Sequence, residues 1–108
     1  MSYESVLDAL GDGTRRRLVE QLRGGPRSVT ELAAAFPVSR PAISKHLRVL
    51  SECGLVTHET SGTRNLYRLD PRGLAELRRW TEQFWDDVLG SFADHVADTR
   101  PTARRRPR

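Results

Sequence analysis

VTELAAAFPVSRPAISKHLRVLSECGLV, residues Val29–Val56, decides how this chain is read. Ser39 suits an N-cap, and Pro41 falls in the first helical turn, where a missing N–H is tolerated. Gly54 follows the last periodic residue and supplies a left-handed stop. Between them Ile43, Leu47 and Leu50 recur at i, i+4, i+7, on one side of a helix. Pro41, Lys45, Arg48 and Glu52 fall near the opposite side, with Ser44 beside them. One face is therefore aliphatic, and the other offers a hydroxyl and cations. Upstream, Ser28 and Glu31 make an S-x-x-E capping box, Leu32 and Phe36 are the apolar positions, and Phe36-Pro37-Val38 is a short turn. Two cations on one helix usually mean a solvated face. Behind a short capped helix and a tight turn, they predict a helix-turn-helix whose second helix lies in the DNA major groove.

The rest of the chain fits a small cytoplasmic DNA binder. Its 108 residues allow one domain with a modest core. The sequence holds neither a run of 18 apolar residues nor a charged-then-apolar leader, so a membrane-spanning or secreted protein is not expected. A single cysteine excludes an internal disulfide and suits a reducing compartment. The net charge of +4 is segregated. Residues 1–12 carry three acids and no cation, whereas residues 13–79 hold thirteen Lys/Arg against six Asp/Glu. Residues 80–98 hold five acids and no Lys/Arg, and residues 99–108 add five arginines. Positive charge thus sits on the helix-turn-helix region and the tail, where a polyanion needs it.

Five helices and a hairpin are expected, a mainly α chain with a small β component. Ser2 caps a first helix bearing Tyr3, Val6, Leu7 and Leu10. Asp12-Gly13 breaks it, a second helix runs from about Thr14 to Leu22, and Gly24-Gly25-Pro26 ends that. After the helix-turn-helix, Leu55–Thr60 and Asn65–Leu69 read as strands joined by a loop over 61–64, a wing with Arg64 at its tip. Arg64 is either a solvated loop cation or a contact to phosphate or the minor groove; the groove reading is preferred. Asp70-Pro71 opens a long last helix to about Val96. Four of the seven aromatics lie between Trp80 and Phe92. Leu74 and Leu77 suit packing on the helix's own core. Trp80, Phe84, Trp85, Val88, Leu89 and Phe92 exceed what the end of a small winged helix buries, and point to a homodimer interface. The organisation expected is a winged helix-turn-helix domain over 1–98 and a basic, disordered tail over 99–108.

With those residues in place, the chain resembles the ArsR/SmtB family of bacterial winged-helix regulators. The likeness runs through LDALGDGTRRRLVEQL (residues 7–22), Val29–Val56, LYRLDP (residues 66–71) and the closing helix. Its specific part is SRPAISKHL with the following GLV and YRL. The resemblance implies a homodimer formed by the first helix, with Tyr3 and Leu7, and the last, binding an inverted repeat and usually repressing its own operon. It also carries DNA contacts onto Arg40, Ala42, Ser44, Lys45 and His46. With Ser39, Arg48 and Arg64 these form the candidate DNA-binding set. The helical wheel puts His46 on the flank of the core, so a packed or capping histidine stands level with a DNA contact.

The departures from the family matter equally. Members that sense arsenic or soft metals carry C-V-C just before the E-L of the first helix-turn-helix helix; here Ser28, Val29 and Thr30 stand there. Members that bind zinc-like metals use paired ligands on the last helix, which here has only His95. Gly13 replaces the proline usual after the aspartate. Cys53 lies at a helix C-terminus, where the dipole disfavours a thiolate, and reads as a packed small side chain rather than a redox sensor. His46, His58 and His95 have no ligand spacing, so neither metal nor cofactor is expected. No glycine-rich phosphate loop, nucleophile elbow or H-E-x-x-H occurs, so an enzyme is not expected. The reading is a homodimeric, metal-independent DNA-binding repressor, and the sequence leaves open whether a small-molecule effector acts on it. The alternative is a dimeric module whose last helix engages a small molecule or a partner protein.

Overall fold

The computed structural model describes residues 2–99, and the side chains of residues 2–96. In chain order they form α1 (Tyr3–Leu10), α2 (Gly13–Leu22), β1 (Arg27–Ser28), α3 (Val29–Ala34), α4 (Arg40–Glu52), β2 (Val56–Ser61), β3 (Arg64–Leu69) and α5 (Pro71–Thr99). The fold is a winged helix-turn-helix, with α3 and α4 as the motif and β2–β3 as the wing. By compactness the chain divides into residues 1–77 and residues 78–108. Of the expected tail, Arg100–Arg108 lie outside the described residues.

The first unit is built on one apolar cluster. Val6 and Ala9 of α1, Leu18 and Leu22 of α2, Leu32 of α3 and Ile43, Leu47 and Leu50 of α4 meet Cys53, Leu55 and Val56. Local chemistry starts each helix. The Ser2 and Ser5 side chains form a reciprocal box at α1, and Ser28 and Glu31 do so at α3. Asp12 is not only a breaker. Its carboxylate accepts the Arg15 N–H at 3.0 Å and so caps α2, which begins at Gly13, one residue earlier than expected. The carbonyls left open at the end of α1 are filled from α2: Arg15 Nε donates to Ala9 O and Arg16 Nη1 to Leu10 O, both at 2.7 Å.

The sheet has a strand that the sequence reading did not contain. Arg27 and Ser28 pair antiparallel with Tyr67 and Leu66, giving the order β1-β3-β2. Two residues carry no alternation to read, and their partner lies some forty positions away. The wing turn is also tighter than expected. Ser61 pairs with Arg64, so the connection is Gly62-Thr63, with Gly62 at φ +65°. Arg64 is therefore the first residue of β3 and not a loop residue.

The end of α4 is fixed twice. Gly54, at φ +82°, donates to Ser51 O at 3.1 Å, and Leu55 N donates to Leu50 O at 2.9 Å. That is the Schellman pattern, closed by contact between buried Leu50 and Leu55. The first turn of α5 then docks on the same loop: Asp70 N donates to Leu55 O at 2.8 Å and Gly73 N to Gly54 O at 2.9 Å. Asp70 is buried, accepts the Arg72 N–H at 3.0 Å, and has the Arg72 guanidinium on both oxygens, which holds its carboxyl below the usual range. A Cβ at Gly73 would stand 2.6 Å from the carbonyl carbon of Gly54. Gly73→Ala is therefore expected to lower stability by about 1–3 kcal/mol, since backbone cannot step aside as a side chain can. Thermal unfolding checks this: a fall on the order of 10 °C is expected. An unchanged midpoint would mean that the loop yields freely.

Candidate nucleic-acid interface

Ile43, Leu47 and Leu50 are fully buried, so the core holds α4 by one face along most of its length. Ser39 Oγ accepts the Ala42 N–H at 3.2 Å and sets where the helix starts. With both ends and one face fixed, the remaining side chains have a set direction. Ser39, Arg40, Ser44, Lys45 and Arg48 are exposed, and Ala42 and His46 border them half-buried.

What separates α4 from the other elements is the state of its cations. Arg64 pairs with Glu31 at 3.2 Å, Arg68 with Glu59 at 3.0 Å, Arg72 with Asp70 at 2.7 Å and Arg78 with Glu82 at 3.2 Å. Arg15 and Arg16 are spent on the end of α1. Among the described residues, Arg40, Lys45 and Arg48 have no acidic partner within 4 Å, and neither do Arg17 in the middle of α2 and Arg23 at its C-cap. An exposed cation gains little from a surface ion pair, so an arginine left without one loses little stability. Lys45 and Arg48 on one helix face, with Arg40 at the N-terminus of the helix and the Ser44 hydroxyl, form a surface whose chemistry matches phosphate and base edges.

The other candidates are placed as follows. His46 turns towards the start of α2, with Nδ1 3.4 Å from Arg15 Nη1 and 4.0 Å from Asp12 Oδ2. Asp12 titrates below the usual range, chiefly because it accepts the Arg15 N–H, with His46 adding to it. Cys53 is buried as the C-cap of α4, its thiol donates to Leu50 O at 3.4 Å, and burial pushes its pKa up. On the wing, the His58 ring stacks on Tyr67, centroids 4.9 Å apart. No group of three or more His, Cys, Asp or Glu that could hold a metal occurs among the described residues. Ser28, at one of the positions where arsenic-sensing relatives have thiolates, is buried and occupied with capping α3.

The exposed large apolar side chains among the described residues are Tyr3 and Leu7 on α1 and Phe84, Trp85, Val88, Leu89 and Phe92 on α5. Each belongs to the set assigned from sequence to a dimer interface. Trp80, the remaining member, is half-buried and stacks on Phe84 at 5.5 Å. The sequence reading gave Arg17 no role and Glu31 only that of capping α3. A run of three arginines does not reveal which one is free, and the Arg64–Glu31 pair joins residues 33 apart.

Known proteins place this arrangement. The model of bacterial regulatory proteins of the arsR family matches residues 12–58, from the cap of α2 into the wing. The HTH-type transcriptional regulator Rv2034 of Mycobacterium tuberculosis is 53% identical over 95 residues, spanning 88% of this chain and 89% of that protein. The chain belongs to the ArsR family. This ArsR-family chain is also 30% identical over 80 residues to the transcriptional repressor SdpR of Bacillus subtilis, covering 74% of this chain and 89% of that one. Among solved structures, an ArsR-like transcriptional regulator from Rhodococcus sp. RHA1 superposes with a TM-score of 0.79 at 32% identity, covering 92% and 93% of the two chains. The ArsR-family protein described here is thus a DNA-binding transcriptional regulator and not an enzyme. None of its described helices is long and apolar enough to cross a membrane.

Proposed function

We propose that the chain is a cytoplasmic, homodimeric repressor that binds an inverted-repeat operator and does not respond to metals. The observation that carries this is the exposed side of α4, whose Arg40, Lys45 and Arg48 have no acidic partner within 4 Å. Arg40, Lys45 and Arg48 contact phosphate and Ser44 reaches a base edge, while Ser39, Ala42 and His46 border the contact and Arg64 adds one from the wing. The apolar side chains exposed on α1 and α5 supply the dimer contact. SdpR, named a repressor, supports the sign of regulation. A module acting through α5 alone would leave the three unpartnered cations of α4 without a role.

Footprinting on the DNA upstream of the chain's own gene tests the reading. Two protected half-sites about 34–36 Å apart, one helical turn, are expected from two α4 helices related by a twofold axis. Protection of a single half-site, or none, would sink it. Metal independence follows from Ser28 and Thr30 at the thiolate positions and from a last helix in which His95 is the only histidine. Zn(II), Ni(II), Cd(II) and arsenite are each expected to leave the operator affinity of tag-free protein unchanged. Stoichiometric binding of any of them with release of DNA would overturn that part.

A further inference from the structure

Glu31 Oε1 carries two bonds at once. It accepts the Ser28 N–H at 2.8 Å, which closes the capping box of α3, and it receives Arg64 Nη2 at 3.2 Å from the start of β3. One oxygen thus ties the wing to the first helix of the motif. Both side chains are half exposed, so the pair is open to competition from a third charge. The Glu31 carboxyl titrates below its ordinary range, chiefly because it accepts the Ser28 N–H, with Arg64 adding to this, so it is ionised at neutral pH.

From this geometry we infer that Glu31 is a positioning residue for the wing: it holds Arg64 in the free protein and gives it up to a DNA phosphate on binding. This rests on the reading above, that α4 binds DNA. The guanidinium that pairs with Glu31 is the one that meets a phosphate on binding, and a carboxylate kept beside that phosphate would repel it. An exposed pair of this kind is weak, and the phosphate array of a duplex is a far denser source of negative charge. The exchange breaks the Glu31–Arg64 pair, so each binding event carries a cost that a neutral residue at position 31 would not impose. Glu31 would therefore hold the wing in place while lowering affinity. The second bond of Oε1, from the N–H of buried Ser28 at 2.8 Å, keeps the carboxylate in position after Arg64 leaves.

Glu31→Gln separates the charge from the cap, since the glutamine oxygen still accepts the Ser28 N–H. The probe is a mixed-sequence duplex, titrated between about 50 and 200 mM salt. The variant is expected to bind about three- to tenfold more tightly at the low-salt end. Its salt dependence should steepen by on the order of one phosphate per subunit. In an Arg64→Gln background the same change should gain little, because no arginine is left to release. Equal gains in both backgrounds would make Glu31 a merely repelling charge and overturn the exchange; so would no gain at all. The side-chain NMR signal of Arg64 in the unaltered chain reads the exchange without any variant. It should shift when the duplex is added, and a signal that stays at its free position would contradict the inference. Lys45→Glu on the same duplex separates the two levels. If it weakens binding while Glu31→Gln changes nothing, only the exchange falls. If Lys45→Glu also changes nothing, the DNA reading falls and takes the exchange with it.

Discussion

Replacing Trp85 and Phe92 together with aspartate is expected to give a monomer that no longer recognises its operator. The two rings are 60% and 64% exposed in the single chain, so their loss takes little from the chain's own packing. With Leu89 they recur at i, i+4, i+7, a continuous stripe along α5, and Val88 widens it. In the proposed dimer, meeting a second copy across a twofold axis would remove that stripe from water. At about 25 cal/mol per Å² of apolar surface, such burial is the main favourable term for association. Aspartates at both positions would put four unpaired charges into one symmetric contact, and their desolvation would outweigh what apolar area is left. Each monomer would keep Arg40, Lys45 and Arg48. Weak non-specific binding should therefore survive while operator affinity collapses, because half-sites bound independently lose the advantage of linkage. Light scattering and a gel shift on one sample check both halves of this. A double variant that stays dimeric and keeps its operator would mean that the subunits meet elsewhere.

Lys45→Glu should have the second-largest effect, and for the opposite reason: it leaves folding and dimerisation intact and strikes the contact itself. Lys45 is exposed, has no acidic partner and lies away from Ile43, Leu47 and Leu50. Reversing its charge removes one attraction to phosphate and adds one repulsion in each subunit. A loss on the order of a hundredfold at low salt is expected, for operator and random duplex alike. Ser44→Ala is the contrasting case, with about 1 kcal/mol lost at the operator and little on random DNA, since a hydroxyl at a base edge carries sequence information. Competition titrations with the two duplexes distinguish these patterns. An unchanged affinity for Lys45→Glu would remove that side chain from the interface.

The elements that could be read from the sequence are those with local rules. The start of α4 at Ser39, its buried stripe and its glycine stop are written within sixteen residues, and the structure shows each of them. The same holds for the cap at Ser2 and the box at Ser28. Pairings between distant residues left no such mark. β1 exists only because Tyr67 and Leu66 arrive beside it. Nothing local shows that Arg15 and Arg16 are spent on the end of α1. Nothing local shows either that the Gly54 carbonyl sits where a Cβ at Gly73 would be. For the interface, the sequence pointed to a cationic α4 face. Which cations lack a partner depends on where the acids fall in space, and that needed the fold.

The salt dependence of affinity for the chain's own upstream DNA tests the central claim most directly. In the proposed complex, three unpartnered cations on α4 in each of two subunits would make on the order of six phosphate contacts. Affinity should then fall by roughly 10³-fold between about 50 and 200 mM salt, along a straight line of log K against log salt. Binding that is tight but indifferent to salt over that range would contradict the account, because α4 would then not be lying along the phosphates.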